Sequence, residues 1–266
     1  MAKKFNEDID RKVIESLNNE AKKISVTDNM FFKIRGGIAM RNENKGSRFS
    51  KSKTILAGLA LCAVTTVGVW AATNSGLSWI SSSSRLSQIN KFPTEEKVES
   101  TVGFAPKYVE SFECGFKFDS FNFSDETLHD KEGNSIFKRK GADFDYTRKD
   151  AKKGQTLSLH TTPVYEGETE EPSPNSYTVD YNGLTLNYSS CVYKAVPADY
   201  KATEEEKALV ARGELQIGYG SIEVSETNTQ HISWKENGIQ YSILNMGYDD
   251  VTKEQMIEMA KEVIGQ

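Results

Sequence analysis

Side chains that bind metals or carry out catalysis are scarce in this sequence, whose 266 residues include three histidines and three cysteines. His129, His160 and His231 lie far apart and show no H-x-x-x-H or H-x-x-x-C-x-x-C spacing, so the sequence predicts no metal site and no cofactor. The segment from Gly218 to Ser221 lacks the third glycine of a dinucleotide loop and is not a G-x-S-x-G nucleophile elbow. We therefore expect a protein that is not an enzyme, although groups distant in sequence can converge in a fold.

Positive charge is also scarce in most of the chain. Residues 74–266 carry 20 Lys and Arg against 31 Asp and Glu, a net charge of −11, whereas residues 1–53 carry 13 against 7 and are basic. An acidic domain repels phosphate backbones, which argues against a nucleic-acid partner. With aromatic residues throughout and no internal repeat, the acidic part is long enough for one domain with its own core.

Charged residues are absent from a run of twenty residues that extends from Thr54 to Thr73. A helix of that length matches the hydrocarbon core of a bilayer, which is about 30 Å thick, so we predict one transmembrane helix in contact with lipid. Trp70 and Trp79 occupy positions where aromatic residues meet the headgroup region. Because basic segments stay on the inner side, we expect a cell-membrane protein with a cytoplasmic N-terminus and an extracytoplasmic C-terminal domain.

Two other interpretations of this run fit less well. A signal peptide begins with a short basic region, but here about fifty residues precede the run. The best cleavage-like site, Val69-Trp70-Ala71, has a small residue at only one of the two preferred positions. A lipoprotein signal at Cys62 would place bulky Leu61 before the cysteine and further apolar sequence after it. An uncleaved anchor agrees better with the length of the run and with the charge asymmetry.

The basic segment before the run has the pattern of two short amphipathic helices. Apolar residues recur in it at spacings of three and four, which gives each helix one apolar stripe. Helices this short bury little surface alone, so we expect them to dock onto a protein partner or the membrane surface; a weak hairpin of the two is the alternative. The residues predicted to contact a partner are Ile14, Leu17, Ile24, Phe31 and Ile34.

Strand patterns dominate the acidic part. Asn182-Gly183 and Asn237-Gly238 each separate two alternating segments, which indicates two hairpins with type I′ turns. Capping boxes that begin at Thr203 and Thr252 predict two helices, and the spacing of Met256 and Val263 gives the second one an apolar side that should pack on the sheet. The fold class we predict is α+β: a curved antiparallel, half-barrel-like sheet packed with helices. Further strand candidates are residues 112–123, 142–148 and 155–161.

These patterns divide the chain into four parts. The predicted organisation is a cytoplasmic helical segment (1–53), a transmembrane helix (54–73), a juxtamembrane linker with a short helix (74–105) and an extracytoplasmic α+β domain (106–266).

Two cysteines fall in the predicted extracytoplasmic domain, where disulfides can persist. Cys114 and Cys191 each lie in a segment with a strand pattern, so a disulfide between them is possible. The alternative is two buried, reduced thiols, because the β-carbons must come within about 4.5 Å and the sequence does not determine which strands pair.

The end of the chain resembles a known group of proteins. The segment from Trp234 to Tyr241 and the helix from Thr252 to Ile264 resemble the W-x-x-x-G-x-x-Y-then-helix ending of an uncharacterised extracytoplasmic domain of Gram-positive membrane proteins. Trp79-Ile80-Ser81, after the span, fits the same architecture. This resemblance implies a lipoprotein-carrier-like half-barrel and an anti-sigma-factor-like organisation. The zinc motif of many anti-sigma factors is absent, so a sigma factor would have to be bound without metal.

Together these observations favour a membrane-anchored regulatory protein, with a cytoplasmic sigma factor as the expected partner and an unknown extracytoplasmic ligand. The alternative is a membrane-tethered ligand-binding or carrier domain without a sigma-factor partner.

Overall fold

The computed structural model describes residues 78–83, 88–130, 132, 134–165 and 173–266. The predicted span and the five predicted partner-binding residues, Ile14, Leu17, Ile24, Phe31 and Ile34, lie outside these described residues. Within the described part of the chain, no helix is both long and apolar enough to cross a membrane.

Nine strands and three helices make up the described chain. The strands are β1 (Ser78–Ser83), β2 (Lys117–His129), β3 (Ser135–Thr147), β4 (Thr156–Pro163), β5 (Ser176–Tyr181), β6 (Leu184–Val196), β7 (Leu215–Tyr219), β8 (Ser225–Glu236) and β9 (Ile239–Met246). The helices are α1 (Glu95–Val102), α2 (Glu204–Ala211) and α3 (Lys253–Ile264). The prediction of an α+β fold is confirmed.

One open, curved sheet contains all nine strands. Its order is β1-β2-β3-β4-β9-β8-β6-β5, and β7 pairs with β6. The pairs β1–β2, β2–β3, β3–β4, β4–β9, β8–β9 and β5–β6 are antiparallel, as the sequence predicts. Because β4 pairs with β9, the C-terminal hairpin lies in the middle of the sheet and β1 and β5 are at its two edges.

The two predicted hairpins have the expected turns. Asn182 and Asn237 have φ angles of 50° and 51°, and the glycines that follow them also have positive φ, as a type I′ turn requires. Trp234 and Tyr241 are opposite each other on β8 and β9, and their rings stack with centroids 5.1 Å apart. Both capping boxes are present, at the starts of α2 and α3.

The core covers one face of the sheet. Its largest fully buried side chains are aromatic and come from several strands, and Phe144 stacks on Tyr108 with ring centroids 4.4 Å apart. Helix α3 contributes Met256 and Val263 to this core, and α1 contributes Val98. The apolar stripe predicted for the last helix is therefore confirmed, and both helices pack on the apolar face.

Two boundaries differ from the sequence analysis. Strand β1 lies within the segment predicted to be a linker, and it pairs with β2 along its whole length. The sequence analysis did not predict this strand because a serine-rich strand carries little apolar signal of its own. The strand predicted from Phe112 begins at Lys117 instead, since the carbonyl of Phe112 accepts a hydrogen bond from the N–H of Gly115 within a turn. The prediction that Cys114 lies on a strand is wrong for the same reason, because Cys114 is in that turn.

The described chain divides into two units. The smaller one includes Ala195–Lys201 and Gly218–Ser225. Within it, the backbone N–H groups of Gly220 and Ser221 both donate to the carbonyl of Val196, at 2.8 and 2.9 Å. This shared acceptor shows that the backbone is irregular at Gly220 and Ser221.

Candidate functional site

A polar cleft lies at the surface of the larger unit, where β6 and β8 are neighbours in the sheet. It has a volume of about 430 Å³. Its lining combines amides, hydroxyls, one thiol and two carboxylates: Asn175, Tyr188, Ser190, Cys191, Val192, Glu214, Asn228, Thr229, Gln230, Asn245, Tyr248 and Asp249. This lining contains no Lys or Arg, so the cleft suits a neutral or cationic polar ligand better than an anion.

Hydrogen bonds hold the lining side chains of β6 and β8 in place. The Tyr188 hydroxyl donates to Gln230 at 3.1 Å, and the Gln230 amide donates to the carbonyl of Val251 at 2.7 Å. Thr229 donates to the carbonyl of Cys191 at 2.9 Å. Burial raises the pKa of Tyr188, so its hydroxyl stays neutral. The cleft is thus lined by polar groups with fixed orientations, which lowers the entropy cost of binding.

The floor of the cleft depends on the turn that follows β9. Asn245 is 1% exposed and exchanges two hydrogen bonds with the backbone of Tyr248, one through each side-chain amide atom. Gly247 has a φ of 79°, which allows the chain to reverse between them. The next residue, Asp249, accepts from Asn228 at 2.9 Å. This turn joins the cleft to the core, because the Tyr248 ring packs edge-on against Phe116.

A second polar cluster lies on the sheet face opposite the core. We call it the ion network; it consists of Glu126, Arg139, Asp143 and His160. His160 Nδ1 is 2.5 Å from Asp143 Oδ1, and its Nε2 is 3.1 Å from Glu126 Oε1. Arg139 Nε contacts the other oxygen of Glu126 at 2.8 Å. Strand register explains the convergence, since Asp143 is opposite His160 and Glu126 is opposite Arg139.

The charges in this network determine its protonation. Burial alone would lower the pKa of His160, but Asp143 and Glu126 outweigh it and raise that pKa to about 10. Burial likewise opposes ionisation of Glu126, yet His160 and Arg139 hold the pKa of this carboxyl below its usual range. His160 is therefore an imidazolium at neutral pH.

The geometry argues against catalysis by His160. In a hydrolytic triad, one ring nitrogen binds a carboxylate and the other faces a nucleophile. Here the second nitrogen faces Glu126, so both nitrogens donate to carboxylates and neither can accept a proton at neutral pH. Within the described chain, no group of three or more His, Cys, Asp or Glu side chains is arranged to hold a metal ion. The ion network is a structural element that ties β2, β3 and β4 together.

The sequence analysis missed both clusters. It treated His160 as isolated, because Glu126 and Asp143 precede it by 34 and 17 residues and meet it only through strand pairing. The alternation of polar and apolar residues on these strands was the one signal in the sequence that could have placed these three side chains on the same face of the sheet. Of the predicted site residues within the described chain, Cys114 and Cys191 are both free thiols in this structure. The structure contains no disulfide between them, and Cys191 instead lines the cleft, with its Sγ 3.2 Å from Thr229 Oγ1.

Comparison with protein-family models, with curated protein sequences and with solved structures found no match. The resemblance to Gram-positive extracytoplasmic domains therefore stays a prediction.

Proposed function

We propose that this chain is a membrane-anchored regulatory protein with an extracytoplasmic domain that binds a small polar ligand. Residues 54–73 anchor it, and residues 1–53 hold a cytoplasmic partner, a sigma factor, through the apolar stripe of Ile14, Leu17, Ile24, Phe31 and Ile34. Ligand in the cleft between β6 and β8 is the signal that the domain detects.

One observation carries the proposal: the folded domain begins almost directly after the predicted anchor. The predicted anchor ends at Thr73, and β1 starts at Ser78. The Trp79 ring packs edge-on against Phe137, with centroids 6.1 Å apart, and the Arg139 guanidinium lies 3.8 Å from its centroid. A chain with so short a connection transmits forces between domain and anchor better than one with a long flexible tether.

The interior of the domain supports ligand sensing over lipid transport. A lipid-carrying half-barrel needs an apolar cavity between its sheet and its helices. Here that space holds packed rings, including Phe121, Phe144 and Trp234, each at most 1% exposed. The half-barrel-like sheet that we propose is thus a filled one, and the cleft that a ligand can enter is polar.

The partner is tested by affinity capture with the full-length protein in detergent. Replacing Leu17 and Phe31 by Asp would place charges in the apolar stripes, so we expect loss of the captured sigma factor, identified by mass spectrometry. The matched control replaces Asn18 and Asn29 by Asp, which adds the same charge outside the proposed contact residues and should retain the partner. Equal capture by both variants would contradict the proposed contact.

The topology is tested separately on intact protoplasts. External protease should remove the acidic domain and leave residues 1–53 protected, because basic segments stay inside. Digestion of the N-terminal segment, or a mature protein that begins near Ala72, would contradict the anchor.

A second candidate is a membrane-tethered binding domain without a cytoplasmic partner. The pre-ordered cleft favours it, because ligand binding there requires nothing from residues 1–53. Capture experiments in which wild type and both variants retain no sigma factor, while the protease pattern shows the expected topology, would select this candidate.

A further inference from the structure

Strand β5, at one edge of the sheet, lacks the lysine, proline or bulge that often protects an edge strand. It pairs with β6 through all six of its residues in continuous register, and no other strand of the described chain pairs with it. Most of its residues are tyrosine, threonine or valine, which favour strands. A regular, exposed edge of this kind is a template for pairing with another strand. The opposite edge strand, β1, is mostly serine.

The turn between β5 and β6 determines which backbone groups of β5 point away from the sheet. Asn182-Gly183 forms a type I′ turn, so Tyr181 and Leu184 on either side of it are a hydrogen-bonded pair. Hydrogen bonding to β6 then occurs at every second residue of β5, counted back from Tyr181. Thr178 and Asp180 therefore direct their N–H and C=O groups outward.

Ser176 completes this outward edge at the start of β5. Its N–H donates to the carbonyl of Ser173 at 2.9 Å, so its carbonyl is the group that a partner can use. The edge thus offers N–H donors from Thr178 and Asp180 and a carbonyl acceptor at each outward residue, over about 14 Å. The side chains of Thr178 and Asp180 are exposed as well.

An aromatic ring is exposed at the same edge. Tyr177 is 52% exposed, the largest exposed fraction among the large hydrophobic side chains of the described residues. Lys253 Nζ lies 4.3 Å from the centroid of its ring and therefore covers part of it. Val179, two residues further along, is half-buried and packs against the core. Tyr177 and Val179 thus extend the apolar face of the sheet to its edge.

An antiparallel second copy of β5 complements this edge. When Thr178 lies opposite Thr178 of the second copy, outward backbone groups meet outward groups and form about four hydrogen bonds. Tyr177 then lies opposite Val179 of the second copy in a non-hydrogen-bonded pair, where cross-strand side chains are closest. Asp180 lies opposite Ser176. Thr185 donates to Asp180 Oδ1 at 3.1 Å, which leaves Oδ2 for the Ser176 hydroxyl of the second copy.

Charge and backbone chemistry favour this register over its neighbours. Registers shifted toward the turn bring the Asp180 carboxylates of the two copies closer together, and like charges on paired strands repel. Registers shifted the other way bring Pro174 into the pairing, and proline has no N–H to donate. The register centred on Thr178 avoids both costs.

We propose that this chain forms a twofold-symmetric homodimer in which the β5 strands of two copies pair antiparallel and join the two sheets into one. The pairing covers the exposed ring of Tyr177 and the outward backbone groups, and both copies use the same surface. It requires neither the anchor nor the sigma factor of the proposed function. Asn175 and Tyr188, which line the cleft, adjoin β5, so the dimer also holds one wall of the cleft in place.

The first test measures the mass of the full-length protein in detergent by sedimentation equilibrium over a range of concentrations. Thr178→Pro removes an outward N–H that β6 does not use, and proline is tolerated on an edge strand at such a position. Thr178→Val is the matched control, because it keeps the N–H and the branched shape. We expect dimers of wild type and Thr178→Val, and association of Thr178→Pro that is weaker by about tenfold or more.

Monomers of all three proteins would overturn the dimer. Equal association of all three would place the contact elsewhere and overturn the β5 interface. Circular dichroism shows whether Thr178→Pro keeps its fold, and the second test needs no proline.

The second test is disulfide formation in the full-length protein with Cys62, Cys114 and Cys191 replaced by Ala. Thr178→Cys should form a disulfide-linked dimer on mild oxidation, because β-carbons of directly opposed residues lie about 5 Å apart. Asp180→Cys is the matched control on the same exposed edge. In this register the two copies of position 180 are about 14 Å apart, so it should not link. A mixture of Ser176→Cys and Asp180→Cys proteins should link to each other.

The disulfide pattern can contradict the proposal in several ways. No link through Thr178→Cys would overturn the pairing, and equal links through Thr178→Cys and Asp180→Cys would indicate random collision and overturn the register. If Thr178→Cys stays monomeric when purified but links to a different protein in intact cells, a peptide of that protein occupies the edge and the homodimer is wrong.

Discussion

The two faces of the sheet are stabilised in different ways. On the core face, Phe144 and its aromatic neighbours exclude water, and their contribution is nearly proportional to the apolar area they bury. On the opposite face, His160 joins two carboxylates, and each charge depends on its partners. An apolar contact is lost in proportion to the atoms removed, whereas removing one member of an ion network leaves the others buried and uncompensated.

The first prediction tests the core face and has the largest expected effect. Phe144→Ala should lower the free energy of unfolding by about 4 kcal/mol, because it creates a cavity between Tyr108 and Phe121. Urea denaturation followed by circular dichroism measures this change. Phe144→Leu is the control and should cost less, since it retains most of the volume. Equal losses for both variants would mean that ring volume does not determine stability here.

The second prediction tests the ion network. His160→Gln should lower the free energy of unfolding by about 2 kcal/mol, below the 3 to 5 kcal/mol of a fully buried pair, because the side chains of His160 and Asp143 are about one quarter exposed. His231→Gln is the matched control. His231 lies on the same face, but burial and the charge of His160 lower its pKa to about 4, so it is neutral and its loss should cost less. A larger effect at His231 would contradict the network.

The third prediction concerns the glycine beneath His160. A β-carbon at Gly141 would lie 2.6 Å from Ser124 Oγ and 2.8 Å from His160 Cε1, so Gly141→Ala must displace both the Ser124 hydroxyl and the imidazole. We expect a loss of about 1 to 2 kcal/mol. In the His160→Gln background the same substitution should cost less, because the side chain at position 160 has already lost its ion pairs. Additive losses in this double-mutant cycle would show that Gly141 acts independently of the network.

The fourth prediction distinguishes the faces by pH. The pKa of His160 is about 10 in the folded protein and near 6.5 when unfolded, so its stabilisation is complete below pH 6.5 and is lost as pH rises toward 10. Between pH 7 and 8 we expect the free energy of unfolding to fall by about 1 kcal/mol. His160→Gln should lose this dependence, and Phe144→Leu should keep it. The same slope in all three proteins would assign it to other groups.

The core face was largely predictable because its signals are local. Asn237-Gly238 sets a type I′ turn by backbone sterics alone, and that turn places Trp234 opposite Tyr241. The capping box at Thr252 and the spacing of Met256 and Val263 likewise predicted where α3 begins and which side it buries. Strand β1 was not predicted because its serines show no apolar pattern, and only its pairing with β2 makes this segment a strand.

The ion network and the cleft depended on tertiary structure. Glu126, Asp143 and His160 meet because β2, β3 and β4 pair in one register, and a shift of a single residue would turn each side chain to the other face. The cleft needs Gln230 and Asn245 beside Tyr188, which follows from the position of β9 and β8 in the sheet order. By itself the sequence determined local turns, caps, apolar faces and the charge-free run, because these depend on neighbouring residues. Only the fold decided which distant charges are partners, because strand register is a property of the whole sheet.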